Sequence, residues 1–280
     1  MLRSRMGALV KLYDVPASQL WIGAVAIGLR YADENAPTGT ALTAIVALLA
    51  ISFVFFYLMG VNDYFDADID ATKGERSVLA GGELTRRSAK LAVSLVACIG
   101  LVLAFFVSLR FLAFSLVIFA LSTFYSAPPV RYKRFYPIST LGELAGAFVL
   151  FLLGYSVIGL PTVTAVFIST VTTLVAASAR LKQEARNAEF DSRTGKMTFA
   201  VVHGADSVRT VSRALLVLAF VEVVGLRVVG LLSSSTAALA GLFVLAPILV
   251  KQAQDRRYLR MSGLLWGFGI YLLAVFLPRF

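Results

Sequence analysis

The sequence predicts an all-α, polytopic membrane protein: nine transmembrane helices around a central cavity, with cytoplasmic loops capping the active site. Three observations predict this. Of the 280 residues, 59% are hydrophobic and only 15% are charged, with a mean hydropathy of +0.82; soluble domains carry about a quarter charged residues. Apolar runs long enough to cross ~30 Å of hydrocarbon alternate with short charged segments. The basic residues collect in every second connection, as they do when loops alternate between two sides of a membrane.

Each element follows in order. The N-terminus is basic, with Arg3, Arg5 and Lys11, and lacks a compact apolar core followed by a small-residue cleavage site. No removable leader is expected, and a short basic amphipathic segment, broken at Asp14-Val15-Pro16, should lie on the membrane surface. The first two spans are expected over 17–31 and 41–61, joined by an outer loop that carries Asp33 and Glu34. Spans three and four, 89–109 and 111–127, divide at Arg110; five and six, 141–160 and 162–181, divide at Pro161. Spans seven and eight, 208–232 and 234–250, divide at the serines 233–235, and the ninth covers 261–277.

With the N-terminus in the cytoplasm, 22 of the 26 Lys and Arg residues fall on the cytoplasmic side. The exceptions are Arg30, Arg110, Arg227 and Arg279. An error of one in the helix count would scramble this bias, so the chain is expected to be a multi-pass protein of the cell membrane with the loops after spans two and six inside. The net charge of +10 is therefore not a nucleic-acid patch, because the basic residues punctuate apolar runs instead of covering one face of a soluble module. The single cysteine, Cys98, excludes an internal disulfide and reads as a small packing residue.

The segment Asn62-Asp63-Tyr64-Phe65-Asp66-Ala67-Asp68-Ile69-Asp70 follows span two without a break. If the helix continues, Asn62, Asp66 and Asp70 stand at i, i+4 and i+8 and share a face. Carboxylates at that spacing repel one another unless a cation intervenes, and Mg²⁺ with phosphate is one way to relieve them. A second oxygen-rich face, Glu184, Asn187 and Asp191, lies about four spans later and so on the same side of the membrane. With Arg76, Lys133, Arg134 and Arg193 nearby, two such faces suit a metal-bridged polyanion. The bland alternative is a set of solvated loop charges, but ionisable residues placed this regularly at span ends line substrate or ion paths.

At these residues the chain resembles the UbiA superfamily of intramembrane prenyltransferases. The first segment fits that family's N-D-x-x-D-x-x-x-D motif. The likeness extends to Glu75-Arg76, Gly81-Gly82 and Thr85, to Tyr125-Ser126-Ala127-Pro128-Pro129-Val130-Arg131-Tyr132-Lys133-Arg134, and to Asp191-x-x-x-Gly195-Lys196-x-Thr198. It implies a single domain over 1–280 and a Mg²⁺-dependent reaction in which an isoprenyl diphosphate ionises and its prenyl group joins a lipophilic acceptor. By that resemblance Asn62, Asp66 and Asp70 hold one metal with Asp63 in support, and Asp191 with Asn187 and Glu184 holds the second. Asp66 and Asp191 are the expected catalytic residues; Arg76, Arg131, Lys133 and Arg134 are expected on the diphosphate, with Tyr57, Phe124 and Tyr125 lining the cavity.

One departure stands out. The family's second motif reads D-x-x-x-D, whereas this chain has Asn187 at the first position. Asparagine offers a carbonyl oxygen but no charge, so Glu184 is expected to supply the missing carboxylate. The acceptor is expected to be a quinone precursor such as a hydroxynaphthoate of a menaquinone-type pathway. Isoprenoid-glycerol, pigment and carotenoid acceptors, a terpene cyclase, and an ion-coupled transporter that uses the acids as a cation site are the alternatives. Elsewhere, His203 reads as a surface or capping residue, Glu143 as a residue bordering the cavity, and Glu222 as a partner of Arg227.

Overall fold

A computed structural model of the protein describes residues 2–13, 22–35, 41–72, 78–193 and 195–249. Among them the regular structure is helical: α1 (Leu2–Leu12), α2 (Ile22–Asn35), α3 (Ala41–Thr72), α4 (Arg86–Val107), α5 (Leu109–Ser126), α6 (Ile138–Tyr155), α7 (Val163–Arg193), α8 (Phe199–Val228) and α9 (Ser234–Leu249), with a short 3₁₀ turn at Tyr132–Arg134. Predicted spans one to eight each overlap one helix from α2 to α9, with α3, α7 and α8 extending beyond the predicted bounds by up to 12 residues. The ninth, and the loop at 251–260, lie outside the described residues. Among the described residues five helices, α3 to α7, are long and apolar enough to cross a membrane.

Local sequence sets the helix limits. Ser108 ends α4 and starts α5 at once: its N–H bonds to Ala104 O and its Oγ accepts from the Phe111 amide. This break stands two residues before the expected Arg110. Thr85 caps α4 and Thr198 caps α8 in the same way. Within α8, Gly204 adopts φ +81°, where a Cβ would be strained, and bends the helix one turn after its start.

Helices adjacent in sequence pack on one another, and α9 returns to α8, α7 and α2. The tightest crossing joins α2 to α6. A Cβ on Gly28 would stand 2.0 Å from the Phe151 carbonyl oxygen, and one on Gly154 would stand 1.9 Å from that of Val25. Small residues let two backbones approach where an apolar solvent offers little hydrophobic drive between helices. Phe151, Leu153, Ile22 and Ile27 surround this crossing as the centre of the buried core.

Lipid-compatible surface is plentiful on α4, where Leu91, Leu95, Val102, Phe105 and Phe106 are exposed. Cys98 lies exposed on the same helix instead of packing inside. At the end of α2 that carries Asp33 and Glu34, Arg30 is 1% exposed and pairs with Glu34 at 2.9 Å, and Ser235 and Thr236 of α9 donate to the same carboxylate at 2.6 and 2.7 Å. Arg110 donates to the Ile158 carbonyl and Arg227 to Ser234. Glu222 bonds to Thr170 of α7, not to Arg227. Five residues along a helix turn about 140° around its axis, so those two side chains diverge.

Candidate active site

The continuous α3 carries Asn62, Asp66 and Asp70 past the end of its apolar run, as the spacing requires. Its far end is braced by α1. Leu12 of α1 buries against Val61 of α3 and Val93 of α4, and Lys11 bonds to Glu83 at 2.7 Å. The expected surface segment is thus a helix packed beneath the acidic motif.

The loop between α5 and α6 brings cations to this face. Lys133 Nζ lies 2.5 Å from Asp66 Oδ2, 3.0 Å from Asn62 Oδ1 and 3.2 Å from Ser126 Oγ, and Ser126 itself donates to Asn62 at 3.0 Å. Arg131 bonds through Nη2 to Asp66 Oδ1 at 2.8 Å and to the Phe65 carbonyl at 3.0 Å. Arg131 holds φ +39°, a left-handed conformation that costs a non-glycine residue about 1–3 kcal/mol. Two charge-assisted contacts to α3 offset that cost.

The Lys133 ammonium is pulled down to about 8, mostly by burial and further by Arg131 and Lys196, against the opposing pull of Asp66. The influence of Lys196 is the link to the second motif. There α7 ends in a turn where the Lys196 amide returns to Asp191 O at 2.9 Å and Gly195, at φ +69°, bonds back to Ser192 O. The turn folds Lys196 over its own helix, 3.6 Å from the buried Asp191 carboxylate. The two acidic motifs therefore lie towards one end of the bundle, with Lys196 near enough to Lys133 to act on its charge.

Glu184 has a different setting. It is 1% exposed, accepts the Phe199 amide at 3.0 Å and lies 3.1 Å from Arg180 Nε. It thereby satisfies one of the orphan donors at the start of α8. Asn187 is exposed, Asp63 and Asp70 are half-buried, and Arg134 is exposed; Arg76 lies outside the described residues. Tyr57 stacks on Phe119 with ring centroids 4.3 Å apart and bonds to Thr123, and the Tyr125 ring sits 5.6 Å from Lys133 Nζ. Phe124 is 52% exposed. His203, expected at the surface, is exposed on α8, where its ring packs on Phe199.

Sequence reasoning did not single out Ser126 or Arg180, and it left Glu143 at the border of the site. Arg180 lies four residues before Glu184, a helical pairing distance that the sequence already displayed. Its Nε stands 2.8 Å from Glu143 Oε2, and Glu143 in turn accepts the Tyr125 hydroxyl. These partners come from three helices, so only the fold assembles them.

The donor set fits Mg²⁺ bound together with phosphate. Asn62, Asp66 and Asp70 present hard oxygens only. Among the described residues no three His, Cys, Asp or Glu side chains converge as a closed metal cage. Mg²⁺ commonly takes one or two carboxylates and completes its shell with water and substrate phosphate, so a closed cage is not required.

A family model described as the UbiA prenyltransferase family matches residues 20–276. The chain is 29% identical over 196 residues to 2-acylphloroglucinol 4-prenyltransferase of Humulus lupulus, a match that covers 66% of this chain and 47% of the relative. It is 30% identical over 132 residues to a lycopene elongase/hydratase of Halobacterium salinarum, covering 44% of this chain and 46% of that one. The chain thus spans about half the length of the curated relatives it matches. In three dimensions it is similar to a UbiA homolog from Archaeoglobus fulgidus bound to GPP and Mg²⁺, with a TM-score of 0.73 and 17% identity over 95% of this chain and 99% of that one. A digeranylgeranylglyceryl phosphate synthase superposes with a TM-score of 0.64 at 20% identity, covering 97% of each chain. At such identities the likeness speaks for the fold.

Proposed function

The chain belongs to the UbiA prenyltransferase family, and from that premise we propose that it transfers an isoprenyl group from a prenyl diphosphate to a lipophilic acceptor in a Mg²⁺-dependent reaction. The observation that carries the proposal is the Asp66 carboxylate held between Arg131 and Lys133, while Lys196 pairs with Asp191 in the second motif. Each acidic motif thus carries its own cations, the pattern that a metal–diphosphate pair would complete.

Asn62, Asp66 and Asp70, with Asp63 in support, would hold one Mg²⁺, and Asp191 with Asn187 the other. Glu184 is engaged by Arg180 and by α8, so we assign it to anchoring the second motif. Bound Mg²⁺ supplies neutralisation of the diphosphate oxygens. Lys133 and Arg131 then exchange Asp66 for phosphate oxygens, with Arg76 and Arg134 as further candidate contacts. As the allylic C1–O bond breaks, its electron pair stays on the diphosphate, and these cations stabilise the charge that develops there. The prenyl C1 takes a new electron pair from the acceptor, which gives up a proton. Aromatic faces at Tyr57 and Tyr125 shelter the positive charge and exclude water.

The nine-span topology with an inside N-terminus, a single unit over 1–280, and a site opening to the cytoplasm complete the reading. The charge count supports them. A hydroxynaphthoate-type quinone precursor is the acceptor we favour. The relatives' names point to both an acylated polyphenol and a hydrocarbon.

The test is diphosphate release and product formation in detergent or nanodiscs with Mg²⁺, prenyl diphosphates and an acceptor panel. Asp66→Ala and Asp191→Ala should each lower transfer by at least about 100-fold with every acceptor. Full activity in either variant overturns the site. A cyclic hydrocarbon formed from donor alone overturns transfer in favour of cyclisation.

A further inference from the structure

We propose that the end of the bundle opposite the acidic motifs holds a phospholipid by its phosphate, with Arg227 as the headgroup cation and an exposed apolar stripe of α8 as the seat of an acyl chain. The inference is independent of the chemistry at the other end.

The place follows from helix direction. α8 starts beside the second acidic motif, where the Phe199 amide meets Glu184. Arg227 lies roughly 35 Å further along the helix from the bend at Gly204. Over that length Val217, Phe220, Val221, Val224 and Val228 are exposed at spacings of three and four residues, so they form one stripe. Arg227, three residues after Val224, is exposed at the end of the same stripe. An apolar strip that ends in a cation matches the two parts of a phospholipid, an acyl chain and a phosphate.

The end of α8 builds a setting for that cation. Gly230 holds φ +77°, and the turn it permits bonds its own amide to Arg227 O at 3.2 Å and the Leu231 amide to Leu226 O at 2.9 Å. The chain then returns Ser234 Oγ to 3.0 Å from Arg227 Nη2. Between this turn and the end of α2 lies a cavity of about 490 Å³, lined by Tyr31, Glu34, Arg227, Gly230, Ser233 and Ser234 with two leucines. Sites that hold small ligands occupy roughly 300–1,000 Å³, so a headgroup fits.

Charge decides which headgroup atoms enter. Glu34 is the one acid among the cavity residues, and it is already engaged by Arg30 at 2.9 Å and by the hydroxyls of Ser235 and Thr236. The buried Arg30 matches its charge, so the cavity retains the positive charge of Arg227. Among the described residues Arg227 bonds to Ser234 alone, which leaves most of a five-donor guanidinium for an anion. A phosphate diester takes those donors while its chains cover the stripe. A free phosphate would leave the stripe bare.

The test titrates delipidated full-length protein in detergent with phosphatidylglycerol, with the diacylglycerol of the same chains, and with inorganic phosphate. Native mass spectrometry reads the bound species, and thermal unfolding is followed in parallel. Phosphatidylglycerol should bind and raise the melting temperature, whereas the other two at equal concentration should do neither. Arg227→Gln should weaken phosphatidylglycerol binding about tenfold, and Arg227→Lys, which keeps the charge, should stay within about threefold of wild type. Arg110→Gln removes another exposed cation at the same end of the bundle, tied to the Ile158 carbonyl, and should leave binding unchanged. Equal binding of diacylglycerol would show that no phosphate is read, and equal binding of inorganic phosphate would make this a free-anion site. An equal loss in Arg110→Gln would reduce it to general surface charge, and wild-type binding in Arg227→Gln would remove its cation. Any of these four results overturns the proposal.

Discussion

At the scale of single residues, Asp66 is the pivot of the site. Its two oxygens are claimed by two different cations, Lys133 on Oδ2 and Arg131 on Oδ1. Neither contact is local in sequence. Both depend on a loop that turns back across α3, and Arg131 enters it in a left-handed conformation. That strain makes Arg131 a sharp test. Arg131→Gly relieves the left-handed cost but also loses the two contacts to α3, so folding stability should stay within about 1 kcal/mol of wild type in thermal unfolding. The same substitution removes a guanidinium from the diphosphate, and the KM for the donor should rise by about 10- to 100-fold. An unchanged donor KM would show that Arg131 serves the loop and not the substrate. The aspartates were legible in the sequence because helical spacing alone aligns them. Lys196 was not, because its placement over Asp191 depends on the positive φ of Gly195.

At the scale of elements, the crossing of α2 with α6 is the contact least open to substitution. Gly28 and Gly154 each face a backbone carbonyl of the other helix at a distance no Cβ tolerates. Backbone cannot swing aside as a side chain tip does, so Gly28→Ala or Gly154→Ala must separate the helices. Each should cost about 3 kcal/mol or more, at the upper end of what overpacking does. Gly146→Ala and Gly225→Ala meet open space and should be neutral or slightly stabilising. Thermal unfolding of the four variants in one detergent compares them directly; equal melting temperatures would contradict the crossing. Helix identities were readable from apolar runs, and the continuation of α3 and α7 through their acidic tails followed from residue spacing. Which helices touch was not, since glycines at 28 and 154 look alike whether they meet each other or lipid.

At the scale of the whole molecule, the charge count and the fold support each other. Three of the four basic residues assigned to the outer side are bonded in the structure: Arg30 to Glu34, Arg110 to the Ile158 carbonyl and Arg227 to Ser234. Neutralised or tethered in this way, they would not compete with the basic excess on the side we propose to be cytoplasmic. Single cysteines introduced into a Cys98→Ser background test the topology. Ser88→Cys and Arg134→Cys should react with a membrane-impermeant maleimide only from the cytoplasmic side, and Ser234→Cys only from the outside. Labelling of all three from one side would reverse the topology or the span count.

By itself, the sequence determined the all-helical class and, through the likeness of its motifs, the family, and it set the expectation of two acidic faces on one side of the membrane. The class and the faces follow from periodicity, hydropathy and charge, which are properties of neighbouring residues, and so are the motifs. Only the tertiary structure decided how those residues are used. It tied Glu184 to Arg180 and α8, brought Lys133 and Arg131 onto Asp66, and drew Glu143, Tyr125 and Arg180 together from three helices. Such contacts join positions up to 67 residues apart. They depend on helix rotation and close approach, which no local pattern encodes. The acidic motif after α3 is thus a readable signature, while the cluster of Glu143, Tyr125 and Arg180 became visible only once the helices were packed.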